Sequence, residues 1–333
     1  MKKLFRQHET YVLLVIVAFS AIITAVNPSY LSMENLFDLL KGASLMGVFA
    51  IGMLFVLISG GIDLSFTAIA TVSGYIIALA LLNFGDHLNI VTIFLIAGGI
   101  GVLLGSFNAV IIHFFRIPSI ITTIATLNIF YGVLTMVSRG KWLYGFPVWF
   151  GDLANIRLFT LYTPEGNPYG LSIVTVFWIV LALLGGFILR YTVLGRSIYA
   201  MGGSPASAER AGFNLLKLNL FVYSFIGLMA GFGSVIQALL VQTVAPNSLV
   251  GKEMDVIAAV VLGGASLAGG TGSITGTVLG VILITILGNG LTLMHVPSQW
   301  YDVVIGLVIL VSVGVSAYRR KKNIQRRVIT ETA

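Results

Sequence analysis

Ile90-Val-Thr-Ile-Phe-Leu-Ile-Ala-Gly-Gly-Ile-Gly-Val-Leu-Leu-Gly-Ser-Phe-Asn-Ala-Val-Ile-Ile-His-Phe-Phe115 runs without a carboxylate, an ammonium or a guanidinium group. As a helix it reaches about 39 Å, longer than the hydrocarbon core of a bilayer. Runs of this kind recur from Tyr11 to Tyr318, near 11–26, 40–59, 62–83, 90–115, 117–138, 171–190, 217–241, 254–269, 271–292 and 300–318. The composition agrees: of 333 residues, 57% are hydrophobic and only 9% charged, against roughly 25% charged in soluble domains. The fold class predicted is an all-α polytopic membrane protein of about ten transmembrane helices. Glycines interrupt the pattern at Gly60-Gly61 and Gly269-Gly270, so some spans are expected to be broken or half helices, which lipid tolerates only where protein covers them. The N-terminal Met1-Lys-Lys-Leu-Phe-Arg6 and its apolar run end in Asn27-Pro28 without a small-residue cleavage site, so an uncleaved first span is expected.

An even number of spans leaves both termini on one side. That side collects fourteen basic residues, from Lys2, Lys3 and Arg6 through Arg116, Arg190, Arg196, Arg210 and Lys217 to the tail 319–333. The other side holds five: Lys41, Arg139, Lys141, Arg157 and Lys252. Positive residues remain cytoplasmic, so both termini are expected there. The net charge of +7 then reflects anionic headgroups, and no nucleic-acid partner is expected. The long connection 139–170 falls outside. Its Trp142, Tyr144, Trp149, Tyr162 and Tyr169 read as an interfacial aromatic belt or as a docking surface for an external partner.

Several chemistries are missing from the pattern. No Gly-x-x-x-x-Gly-Lys-Ser/Thr occurs, and Gly251-Lys252-Glu253 lacks both the upstream glycine and the hydroxyl residue. There is no cysteine, and His8, His87, His113 and His295 show no metal-ligand spacing, so neither a metal site nor a catalytic residue is expected. Asp63, Asp255 and Asp302 stand at the N-terminal ends of spans, where aspartate commonly caps a helix, and the span interiors are otherwise without charge. What the spans do contain is neutral and polar: Ser65, Thr67, Thr71 and Ser73; Ser106 and Asn108; Ser119, Thr122, Thr123, Thr126 and Asn128; Gln237, Gln242 and Asn289. Such groups either bond neighbouring helices or line a wet path for a neutral hydroxylated solute. Gly101-x-x-x-Gly105, Gly227-x-x-x-Gly231 and Gly276-x-x-x-Gly280 predict close helix packing. Gly105-Ser-Phe-Asn108 before Ile117-Pro118 is echoed by Gly288-Asn289-Gly before Val296-Pro297. Each follows a span with an early aspartate, Asp63 and Asp255, which suggests an inverted repeat.

Between strongly apolar spans lies one sizeable charged island on the cytoplasmic side, Leu194-Gly-Arg-Ser-Ile-Tyr-Ala-Met-Gly-Gly-Ser-Pro-Ala-Ser-Ala-Glu-Arg-Ala-Gly-Phe-Asn214. Ser204 followed by Pro205, and Gly212 beyond Arg210, are the start and stop signals of a short helix.

Four stretches in order resemble the permease subunits of ribose-type sugar ABC importers, the branch that includes the rhamnose and autoinducer-2 importers. They are Gly60-Gly61-Ile62-Asp63-Leu64-Ser65, Ile117-Pro118-Ser119 to Thr123, the Gly195–Gly212 island, and Asp255 through Gly263-Gly264 and Gly269–Gly272 to Gly288-Asn289-Gly290. The likeness covers about 31–318. It implies a single permease domain over 1–333, importing a small neutral sugar (a pentose, a deoxyhexose or an autoinducer-2-like molecule) through a bacterial inner membrane. It also implies a cytoplasmic ATPase subunit carrying ATP and Mg, with no cofactor in this chain. An extracytoplasmic sugar-binding protein and a second copy or homologous permease complete the assembly. The loop 191–216 then provides a coupling helix against the ATPase, with Gly195, Arg196, Ser204, Pro205, Ala208, Glu209, Arg210 and Gly212 as its residues. The solute path is expected along Asp63, Ser65, Asn108, Thr122, Thr126, Asn128 and Asn289. A stand-alone secondary transporter or facilitator, and a non-transporting scaffold, remain open alternatives.

Overall fold

The computed structural model describes residues 7–297, 299–308 and 310. Lys2, Lys3, Arg6, the end of the tenth expected span and the tail 319–333 lie outside them. In chain order the helices are α1 (Gln7–Val26), α2 (Met33–Ile58), α3 (Phe66–Phe84), α4 (Ile90–Phe115), α5 (Ser119–Ser138), α6 (Val148–Leu153), α7 (Ile173–Tyr191), α8 (Val193–Gly203), α9 (Pro205–Arg210), α10 (Leu215–Val241), α11 (Lys252–Leu262) and α12 (Ile274–Leu293). Residues 299–308 are helical as well. Eight of these helices are long and apolar enough to cross a membrane, so the chain is a multi-pass membrane protein. Among the described residues strand is confined to two-residue pieces: β1 (Leu143–Tyr144) pairs antiparallel with β4 (Thr243–Val244), and β2 (Leu161–Tyr162) with β3 (Pro168–Tyr169).

The expected span 254–269 is not one. Helix α11 stops at Leu262, and Gly263 and Gly264 turn the chain into a non-helical segment that reaches to Ser273. At eleven residues α11 is a half-helix. The apolar run concealed the stop because Ala265, Leu267 and Ala268 continue its hydrophobicity while the glycines around them cannot hold a helix. Conversely, α2 begins earlier than its apolar run. Ser32 caps it through the Asn35 amide at 3.2 Å, carrying the polar turn with Glu34 and Asp38 into the helix.

Helix α2 is the axis of the bundle. From Gly47 to Ile58 every residue is buried, enclosed by α7, α10, α11 and α12. Beside it α4 and α10 cross with their backbones in contact. A Cβ on Gly101 would strike the Gly227 carbonyl, one on Gly105 the Tyr223 carbonyl, and one on Gly231 the Ala97 carbonyl. The two glycine pairs spaced by four thus face each other, and Ser106 and Ser224 share a hydrogen bond of 2.7 Å across the same seam. The third pair works likewise: Gly276 meets Gly263, and Gly280 meets Ala259, setting α11 antiparallel to α12. Helix α1 is tied to α12 at both ends. Near its start Glu9 accepts from Ser273 Oγ (2.7 Å) and Thr275 Oγ1 (2.8 Å), and beyond its end Asn27 donates to the Leu293 carbonyl (3.1 Å).

At the end of the bundle where α1 begins, two glycine turns converge on a glycine of α8. Gly202 of α8 packs on the Ile58 carbonyl. Gly269 sits so close that a Cβ would lie 2.6 Å from the Gly202 oxygen and 2.8 Å from Gly60 Cα. Gly60 and Gly269 both have left-handed φ, 86° and 83°, so no other residue fits the turn and the contact together. The Gly270 amide bonds the Ile58 carbonyl (2.9 Å), and Tyr199 Oη bonds the Gly272 carbonyl (2.8 Å).

Gly227→Leu is expected to destabilise the protein by about 3 kcal/mol or to abolish folding, because the side chain meets backbone that cannot move aside. Gly99→Leu, on an open face of α4 with nothing within 4 Å, should leave the unfolding midpoint in detergent within a degree or two of the parent. Equal midpoints for the two variants would show that the α4–α10 seam does not set stability.

Candidate functional site

The connection between α2 and α3 folds back among the helices instead of leaving them. Its Ile62 amide donates to Ser119 Oγ (2.9 Å), and Thr123 Oγ1 donates to the Ile62 carbonyl (3.3 Å), which fastens it to the first turns of α5. Asp63 follows, fully buried. One carboxylate oxygen accepts from the Ser65 amide (2.7 Å) and the Ser65 hydroxyl (2.6 Å), and Ser65 Oγ in turn accepts from Asn108 Nδ2 (2.7 Å) of α4. Asp63 therefore braces the turn before α3, while Ser65 occupies the N-cap position without a side-chain cap bond. Asp63 Oδ2, Asn108 Oδ1 and Thr122 Oγ1 are buried and have no partner among the described residues. Thr122 and Thr126 lie on the buried face of α5, where Thr126 Oγ1 bonds the Thr122 carbonyl (3.2 Å).

Of the residues expected along a path, Asp63, Ser65 and Asn108 are thus one network. Two are elsewhere. Asn289 exchanges amide hydrogen bonds with Asn35 (3.0 and 3.3 Å) at the opposite end of the bundle. Asn128 is on the exposed side of α5 and donates to the Ile124 carbonyl (2.8 Å).

The charged island is two helices joined by a sharp turn. Thr192 caps α8 through the Gly195 amide (3.1 Å), and Gly195 packs against carbonyls at the end of α7. Ser204 caps α9 through the Ser207 amide (3.3 Å), with Pro205 in the first turn. Gly212, at φ 88°, ends it, and the Phe213 amide returns to the Ala208 carbonyl (3.1 Å). Ala208 is buried, holding the helix to the bundle, while Arg196, Glu209 and Arg210 are exposed at the end where α1 begins. The expected helix from Ser204 is present, and α8 preceding it had no capping signal as plain in the sequence.

A further group is legible in the sequence only as separate residues, Asp255 at a span end and Lys252 on the outer side. Because α11 is a half-helix, the charges of Lys252-Glu253-Met254-Asp255 fall alongside α12 and not beyond it. Glu253 Oε2 accepts from Thr67 Oγ1 (3.2 Å) of α3, and Lys252 Nζ pairs with Asp255 Oδ2 (3.0 Å). The signal was three charges within four residues at the head of an apolar run too short to be a span. No cluster of histidine and carboxylate side chains able to hold a metal occurs among the described residues.

Ser65→Ala removes a donor from Asp63 and the acceptor of Asn108, both buried. A loss of about 1–3 kcal/mol follows, read as a lowered unfolding midpoint in detergent. An unchanged midpoint would mean that the network does not hold the α2–α3 turn.

The sequence can be set beside known proteins. A family model described as the permease component of the branched-chain amino acid transport system matches residues 35–313. The ribose import permease protein RbsC of Escherichia coli strain K12 is 35% identical over 312 residues, 93% of each chain. RbsC of Haemophilus influenzae is 31% identical over 320 residues, covering 96% of this chain and 95% of its own. The autoinducer 2 import system permease protein LsrC of an Enterobacter species is 31% identical over 310 residues, 93% of this chain and 87% of its own. No solved structure matches. A chain with eight described helices able to cross a membrane, and similar along almost its whole length to import permeases, belongs to the family of transport-system permease components.

Proposed function

We propose that the chain is the membrane permease subunit of an ATP-binding cassette importer and moves a small neutral sugar, of pentose, deoxyhexose or autoinducer-2-like size, into the cytoplasm. The observation that carries this reading is the end-to-end likeness to ribose import permeases, 93% of both chains. Neutral polar groups along the helices suit such a solute, since hydroxyls are matched by amides and hydroxyls without a change of charge.

The chain lies in a bacterial inner membrane with both termini cytoplasmic, the orientation that the fourteen-to-five distribution of basic residues favours. The end of the bundle carrying α9 then faces the cytoplasm, where a separate ATPase subunit holds ATP and Mg; this chain needs no cofactor. Helix α9 is the coupling contact. It is capped at both ends, anchored by Ala208, and presents Glu209 and Arg210 outward with Arg196 nearby. A sugar-binding protein delivers solute to the opposite end, where Trp142, Tyr144 and Tyr162 are exposed. A second permease, the same chain or a homologue, completes the pathway. Asp63, Ser65, Asn108, Thr122 and Thr126 form its inner wall, with Asn128 facing the second permease and Asn289 near the outer end.

Purification in mild detergent should bring down a nucleotide-hydrolysing subunit in stoichiometric amount. Glu209→Lys or Arg210→Glu is expected to lower its recovery and sugar uptake about tenfold, the equivalent of 1.4 kcal/mol of contact energy. Glu165→Lys, in the exposed loop at the other end, should leave recovery of that subunit unchanged. Uptake that persists without any such subunit would assign the chain to facilitated or ion-coupled transport.

A further inference from the structure

The head of α11 borders a cavity of about 470 Å³ formed with the helical stretch 299–308. Its walls carry Lys252, Asp255 and Asp302 beside Val250, Ile305 and Gly306. Its depth follows from packing. Ala259 lies opposite Gly280 and Gly263 opposite Gly276; extending that register brings Lys252 level with Leu287, short of the end of α12 at Leu293. Tyr301 packs on Gly288 at the same level, 3.0 Å from where a Cβ would be. The cavity is therefore an open cleft at the level of the spans, a depth at which ionisable groups are costly and are retained for what they bind or move.

The three charged groups form one arrangement. Lys252 Nζ stands 3.0 Å from Asp255 Oδ2 and 5.7 Å from the centre of the Tyr301 ring. Both carboxylates are near enough to the Tyr301 hydroxyl for their charges to act on it. Asp302 makes no hydrogen bond or ion pair among the described residues and is exposed, as is much of the Lys252 side chain. The site therefore offers carboxylate acceptors and an ammonium donor, with Val250 and Ile305 as apolar wall and Tyr301 behind Lys252. Around Gly306 the space is open.

We propose that this cavity is a solute-recognition site of the permease itself and takes a neutral polyhydroxylated molecule, a monosaccharide ring. The assignment rests on the importer reading above and adds to it a place where the membrane subunit, and not only a delivery protein, selects the solute. The chemistry separates simple ions from a neutral solute. A metal cation meets the Lys252 ammonium already in contact with Asp255, and an anion meets two carboxylates. A sugar hydroxyl both donates and accepts, so neighbouring hydroxyls engage Asp302 and Lys252 together, and the C–H face of the ring rests on the apolar wall. The volume is within the usual range for small-molecule sites, about 300–1,000 Å³.

The test is thermal unfolding of the full chain, purified with its co-purifying subunits, against D-ribose, D-xylose, L-arabinose, L-rhamnose, D-glucose and D-galactose, with NaCl as the cation probe. At least one monosaccharide should raise the midpoint by about 2 °C or more at saturation. Asp302→Asn and the space-filling Gly306→Leu should each weaken that response at least tenfold in sugar concentration, while leaving ATPase recovery unchanged. Gly306 has room for the added side chain, so its variant separates ligand loss from misfolding. The proposal is overturned if no sugar shifts the parent protein, if the shift survives both variants, or if NaCl alone gives a shift that Asp302→Asn removes. An ATPase that still co-purifies in those cases leaves the importer reading standing; its absence from the parent preparation sinks that reading separately.

Discussion

Lipid tails give two apolar helices no reason to leave them for one another, so this bundle depends on how closely its backbones can approach. At the α4–α10 crossing and along α11–α12, glycine or alanine faces a carbonyl of the partner helix at nearly every turn of contact. That proximity multiplies weak dispersion contacts and removes the side-chain entropy that larger residues would lose. Once α10 is seated on α4, it and α7 close around α2, and its enclosed half, from Gly47 to Ile58, needs no polar face. The half-helix follows from the same constraint. Its first turn lies at span depth beside α3, α12 and the stretch after α12 and opens on the cavity lined by Asp302.

Much of this was legible in the residues. Spans such as Ile90–Phe115 and Ser119–Ser138 are bounded by their polar flanks, and the glycine pairs spaced by four named their own seams. Helix α9 could be read from Ser204, Pro205 and Gly212 alone, since capping is a local interaction. The early end of α11 could not. Hydropathy adds the alanines and leucine beyond Gly264 to the run, whereas the stop depends on Gly263 seated against the Gly276 carbonyl and the segment beyond it on Gly269 packing on Gly202 and Gly60, contacts made in the fold.

The polar network was legible by composition and only partly by place. Asp63, Ser65 and Asn108 are within reach because the α2–α3 connection folds inward, a path fixed by Ser119 and Thr123 nearly sixty residues away. Asn289 and Asn128 share their chemistry but sit where α12 and α5 happen to carry them. A hydroxyl or amide in a span announces that it needs a partner; which partner is decided by helix rotation, which the pattern of apolar residues on α5 and α12 leaves loosely specified. The sequence reads Asp255 as the cap of a full span and Lys252 as an outer residue for a related reason, since the register of a half-helix cannot be read without the helix it lies along.

The convergence of Gly60, Gly202 and Gly269 bears on stiffness. Side chains are compliant: a push delivered through leucine or lysine is partly absorbed in rotamer changes before it moves a neighbour. Here α8 touches both non-helical turns through main-chain atoms, with the Gly270 amide bonded to the Ile58 carbonyl as well. Any displacement of α8 is then transmitted with little slack to the turn that carries Asp63 and to the segment that follows α11. A joint without side chains gives up adjustability in exchange for rigidity, which is what a lever needs at its fulcrum.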